Sequence, residues 1–125
     1  MADARVLLDN GRFVGAYYVL GYAVECALKA CIAKQIRRYD FPDRKLANDS
    51  YTHDLESLLG TAGLRHQLLT DLRTNRDLAV NWAIVKEWSE QARYDTAISK
   101  VKVREFYIAV TARGVGVLSW LRKWW

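Results

Sequence analysis

The stretch Gly15-Ala-Tyr-Tyr-Val-Leu-Gly-Tyr-Ala-Val-Glu-Cys-Ala-Leu-Lys-Ala-Cys-Ile-Ala-Lys34 decides the fold. It reads as one long helix, apolar almost all the way round. Two charged residues, Glu25 and Lys29, interrupt it one helical turn apart. With Gly21 as origin and about 100° per residue, Val14, Tyr17, Gly21, Leu28 and Ile32 share one stripe. Glu25 falls within about 40° of its centre and Lys29 about 80° away, at its edge. A carboxylate placed there is hard to solvate. It must find partners or take up a proton. The source of those partners is the main functional question.

Outward from this helix, the rest of the chain also reads as helical. Ala2–Asn10 is a short first helix, stopped or kinked at Asn10-Gly11. The second helix runs from Phe13 to about Arg37. Residues 38–52 hold turn chemistry in Asp40-Phe-Pro-Asp43 and Asn48-Asp-Ser50 and read as the longest loop. A third helix spans His53–Thr61, with Leu55, Leu58 and Leu59 as its apolar face and Thr52 or Asp54 as its cap. Gly60 and Gly63 end it. Leu64–Leu72 is a fourth segment, and Arg73–Asp77 a polar break. Leu78–Trp88 is irregular or briefly helical, and Ser89–Asp95 has no clear pattern. From Thr96, Val103, Phe106, Val110, Val117, Leu121 and Trp124 recur at helical spacing, which predicts one long amphipathic C-terminal helix. No strand alternation, internal repeat or low-complexity segment is found.

The chain has 125 residues, 51% of them hydrophobic. That is enough for one domain, residues 1–125, with a real core, and it argues against disorder. The net charge of +5 suits an acidic partner such as RNA, a nucleotide or an acidic protein. Cys26 and Cys31 point about 140° apart on one helix and cannot pair. Both read as small core residues of a reduced, cytoplasmic protein. No secretory leader pattern opens the sequence. The Phe13–Ile36 run approaches transmembrane length, but Glu25 and Lys29 would each cost about 2.5–3.5 kcal/mol at a bilayer centre. A buried helix with no membrane partner is the expectation.

Several polar groups are candidates for chemistry. Glu25 and Lys29 form either an exposed intrahelical pair or a buried Glu held also from another helix. His53 stands at a helix entrance, as a packing residue or as a partner for Glu25, with Asp54 or Thr52 beside it as the cap; a helix N-terminus of this kind also attracts anions. Arg93 has five fixed donors and suits a carboxylate or a phosphate, and Tyr94 adds a hydroxyl. A structural Arg93 bridge to Glu25 is the plainer expectation. The bases Arg37, Arg38, Arg44, Lys45, Arg65, Arg73 and Arg76, with Tyr39, Phe41 and Tyr51 nearby, form either an RNA-contacting or a merely solvated face. The histidines and cysteines are badly spaced for zinc, so no metal is expected. Neither a glycine-rich phosphate loop nor a Gly-x-Ser-x-Gly motif occurs, and no cofactor is implied. Five tryptophans include Trp120-Leu-Arg-Lys-Trp-Trp125, which would leave apolar surface on a monomer and argues for a dimer or a partner.

Taken together, the residues resemble the HEPN superfamily of small helical bundles. The resemblance is carried by Leu7-Leu8-x-x-Gly11-Arg12-x-x-x-Ala16-Tyr17-Tyr18, by Gly21-Tyr22-Ala23-Val24-Glu25-Cys26-Ala27-Leu28-Lys29-Ala30, and by His53-Asp54-Leu55-x-x-Leu58-Leu59. Trp88 and Arg93-Tyr94 match its later part. The resemblance implies an up-and-down bundle of four or five helices that forms a homodimer and associates with RNA or nucleotide. It further implies a setting in toxin–antitoxin or defence systems, in some cases with a small nucleotidyltransferase as protein partner. Active members cleave RNA without metal, using Arg, four to six residues, then His. This sequence departs from that pattern. His53 has Leu46, Ala47 and Asn48 where the Arg would stand, and His66 has Leu59, Gly60 and Thr61. The ribonuclease pair is therefore not carried over. Three readings remain: a binding or assembly module at Glu25, Lys29, His53, Asp54, Arg93 and Tyr94; a ribonuclease using His53 with Arg93 or Lys29; and a polar network that serves only the fold.

Overall fold

A helix that is apolar on most sides needs neighbours on most sides. The computed structural model describes residues 1–36, 40–41 and 43–125. Within them Ala2–Asp9 forms α1, Phe13–Ala33 α2, Arg44–Asp49 α3, Leu55–Thr61 α4, Arg65–Thr74 α5, Arg76–Val85 α6, Lys100–Thr111 α7 and Val117–Leu121 α8. A 3-10 turn covers Glu90–Tyr94. No described residue lies in a strand. The all-helical class expected from the sequence is what the chain adopts, with more and shorter helices than the four or five expected. Helix α2 is the hub: α1, α4, α7, α8 and the 3-10 turn all pack on it, and α6 bridges α5 and α7.

The core draws Leu20, Val24 and Leu28 from α2, Leu55 and Leu58 from α4, and Val85 from α6. Val103, Phe106 and Val110 join from α7, and Val117 and Leu121 from α8. Each is at most 1% exposed, and full burial of such a side chain is worth about 1.5–3 kcal/mol. Tyr17 and Phe106 meet with ring centroids 4.4 Å apart. By length and composition, α2 could cross a membrane. Ten of its residues are nevertheless buried against the bundle, as a core helix requires.

Several boundaries differ from the expectation. Helix α1 does end at Asn10-Gly11, with Gly11 at φ +71°. The expected end of the second helix near Arg37 lies outside the described residues, as do Arg38, Tyr39 and Pro42. The expected long loop contains α3. The Asp43 carboxylate accepts the Leu46 N–H at its start, and Lys45 pairs with Asp49 across one turn. The break expected at Arg73–Asp77 shrinks to Asn75, whose extended backbone separates α5 from α6 and whose side chain caps α6. Of Leu78–Trp88, expected to be irregular or briefly helical, Leu78–Val85 is the greater part of a regular α6, and Lys86–Trp88 lie beyond its end. Ser99, rather than Thr96, opens α7.

The long C-terminal helix is two helices. The chain leaves α7 at Ala112 and turns through Gly114 at φ +81°. It passes Gly116 so closely that a Cβ there would lie 2.6 Å from the backbone of Ala112. Val110 before the break and Val117 after it are both buried, so both helices contribute to the core. The tryptophan-rich end also differs from expectation. Trp120 is 2% exposed and donates its indole N–H to Asp71 at 2.7 Å, while Trp124 packs against the core. Most of this apolar surface is covered by the chain itself, so it no longer argues for a dimer. Cys31 is buried, which pushes its thiol pKa up, and Cys26 is exposed rather than part of the core.

Candidate functional site

Stripe geometry brings Glu25 into the bundle, and there it is the only buried charged side chain among the described residues, 1% exposed. Its two oxygens have separate partners. Lys29 Nζ donates to Oε1 at 2.8 Å across one turn of α2. His53 Nδ1 lies 2.9 Å from Oε2 and arrives from the segment that precedes α4. The carboxylate is thus answered twice, as a buried charge must be. Both partners reach outward, with Lys29 36% and His53 46% exposed at the side chain. Toward an ionised Glu25, Nδ1 donates, and in the neutral ring Nε2 then carries the lone pair and faces away from the carboxylate. This orients an imidazole as a carboxylate orients the histidine of a hydrolase dyad.

The approach of His53 is set by the turn that starts α4. The Asp54 backbone N–H donates to Thr52 Oγ1 at 3.1 Å, and Asp54 Oδ1 accepts the Ser57 N–H at 2.6 Å. Asp54 is therefore the helix cap, the helix proper begins at Leu55, and the Asp54 side chain turns away from Glu25. The Ser57 hydroxyl first, and its N–H second, hold the Asp54 carboxyl below the ordinary carboxylate range. A pKa lowered by folding gives stability that is full above the ordinary value and vanishes as pH falls through the lowered one. Asp54→Ala should therefore cost about 1 kcal/mol at neutral pH and almost nothing in strong acid. Thermal melts at the two pH values check this, and an equal loss at both would remove the ionised cap from the account.

An aromatic row borders the site. The Tyr22 ring lies 6.4 Å from the His53 ring, Tyr18 lies 5.7 Å from Tyr22, and Trp88 lies 6.2 Å from Tyr18. Tyr18, Tyr22, Glu25 and Lys29 recur at helical spacing on α2, so this face was readable from the sequence, although Tyr18 and Tyr22 were not among its candidate site residues. Beside them Tyr18, Val19, Tyr22, Ala23 and Cys26 line a shallow apolar depression of about 240 Å³. The 3-10 turn brings a further group that the sequence did not flag. The Glu90 carboxylate is held below its ordinary range by its own backbone N–H, then by the Gln91 side chain, with a further contribution from the charge of His53.

Arg93 and Tyr94 lie on that same turn but do not join the cluster. The Arg93 guanidinium carbon stands 4.7 Å over the Tyr94 ring, and both residues are exposed. The expected Arg93 bridge to Glu25 is absent: its place is taken by His53 and Lys29, which fill both oxygens of the carboxylate. Of the sequence candidates, Glu25, Lys29 and His53 converge, Asp54 supports them, and Arg93 and Tyr94 form a separate exposed stack. Among the described residues, no group of three or more His, Cys, Asp or Glu side chains converges to hold a metal ion. Comparison of the chain with protein-family models, curated proteins and solved structures gives no match.

Proposed function

We propose that the chain is a HEPN-like binding module that acts as a homodimer in the cytoplasm and holds RNA or a nucleotide at the Glu25–Lys29–His53 face. The observation that carries this reading is the buried Glu25 carboxylate, which fixes two cationic or hydrogen-bonding side chains while leaving both open to solvent. Lys29 and His53 suit phosphate oxygens, and Tyr22 beside them offers a ring to a base. The net charge of +5 favours a polyanion. The apolar strip around Val19 and Ala23 adjoins the site and suits contact with a second copy. A toxin–antitoxin or defence role with a nucleotidyltransferase partner rests on the family resemblance alone.

The test is binding of labelled single-stranded RNA across a salt series. Lys29→Gln should weaken binding and lower the slope of log affinity against log salt by about one, as loss of one phosphate contact requires. Unchanged affinity and slope would remove Lys29 from the interface.

The oriented His53 favours a second reading, a metal-independent ribonuclease with Nε2 as the acid or base and Arg93 or Lys29 as the phosphate clamp. It predicts RNA cleavage in the presence of a chelator that His53→Ala abolishes while the fold persists. Cleavage at full rate by that variant would exclude His53 from the mechanism.

A further inference from the structure

A second concavity lies away from the Glu25 site, where α4, α5 and α6 meet. It has a volume of about 270 Å³. Leu59, Leu68, Leu72 and Trp82 line it together with Leu69, which is 53% exposed. Helix α5 packs mainly on α6, which leaves this trough open beside α4. Two charged residues line it. Glu56 is met by Lys86 at 4.0 Å. Arg65 makes only a long hydrogen bond, 3.4 Å, to the Glu56 carbonyl, and no ion pair among the described residues. An apolar trough with a guanidinium that lacks a carboxylate is complementary to a small amphiphile with an anionic head.

We propose that this cleft binds a small organic carboxylate, with one aromatic ring or short chain over Trp82 and its carboxylate on the Arg65 fork. The size sets the class: the volume falls at or below the lower end of ordinary ligand pockets, about 300–1,000 Å³, and suits a single ring with a short arm. The charge sets the head group. A guanidinium accepts carboxylate and phosphate alike, but Glu56 stands on the same cleft and repels a doubly charged phosphate more than a singly charged carboxylate.

Phenylacetate and its neutral amide, titrated separately into the 125-residue chain and followed by calorimetry, test the proposal. Phenylacetate should bind saturably with Kd of about 1 mM or tighter, and the amide about tenfold more weakly. Arg65→Gln should abolish the preference for the acid, and Leu69→Trp, at a half-exposed position that tolerates change, should block both ligands by filling the trough. Equal binding of acid and amide, a preference that survives Arg65→Gln, or no saturable binding would each overturn the proposal. So would a fall in oligomer mass on Leu69→Lys, which would make the cleft a contact between protein chains.

Discussion

Gly21→Ala should destabilise the protein by roughly 2 kcal/mol and lower Tm by several degrees, although helix propensity alone predicts the reverse. Replacing a mid-helix glycine by alanine normally gains about 0.5–1 kcal/mol. Here the added Cβ would collide with the indole ring of Trp88. Trp88 is 3% exposed, so its ring has no free space to retreat into. Overpacking of this kind costs about 1–3 kcal/mol or more, and it outweighs the propensity term. The opposite signs make the measurement decisive: a rise in Tm would show that the ring does not rest on Gly21. Trp88→Ala would relieve the clash, so the double variant should lose less than the two single losses added together. The Trp88 indole N–H is buried with no partner among the described residues. The ring is held there by packing rather than by a hydrogen bond.

Glu25→Ala should cost about 2–4 kcal/mol, because it opens a hole in the core and separates Lys29 and His53 from their common partner. Glu25→Met should behave differently. It fills the space, and Lys29 and His53 are exposed enough to turn to water, so stability should change by little more than about 1 kcal/mol. The same variant no longer orients His53 Nδ1 or Lys29 Nζ. If the cluster is a site, Glu25→Met should keep the fold and lose RNA affinity. If it serves only the fold, affinity and salt dependence should follow the wild type. Chemical denaturation and RNA titration on the same two variants separate these outcomes.

The central part of this picture was legible in the sequence for a definite reason. A helix has a fixed 100° step, so Glu25 could be placed in the core stripe from its neighbours alone; His53 was one of two partners the sequence offered for it, and the other, Arg93, was the one it favoured. The α7–α8 core was legible for the same reason, although the break between them was not. Gly114 and Gly116 were in view, but apolar residues continued in helical register on both sides and hid the turn. Helix α3 is only six residues long, too short to show a period. Arg93 failed for another reason. Its chemistry suits a carboxylate, but the segment from Ser89 to Ser99 has no periodicity to say where a side chain points. The Trp120–Asp71 bond joins residues 49 apart, and nothing local announces such a contact.

The hub position of α2 has a consequence for synthesis of the chain. Its neighbours α7 and α8 lie at the far end of the sequence, and residues 34–99 must be made before α7 can begin. At about 5–20 residues per second, the ribosome leaves the apolar stripe of α2 without those neighbours for several seconds. Only α1, α4 and the 3-10 turn can cover it meanwhile. The nascent chain therefore passes through a stage that displays Leu20, Val24, Leu28 and Ile32 to the cell. A holding chaperone would find its handle there, and a chain cut before Lys100 should aggregate rather than fold.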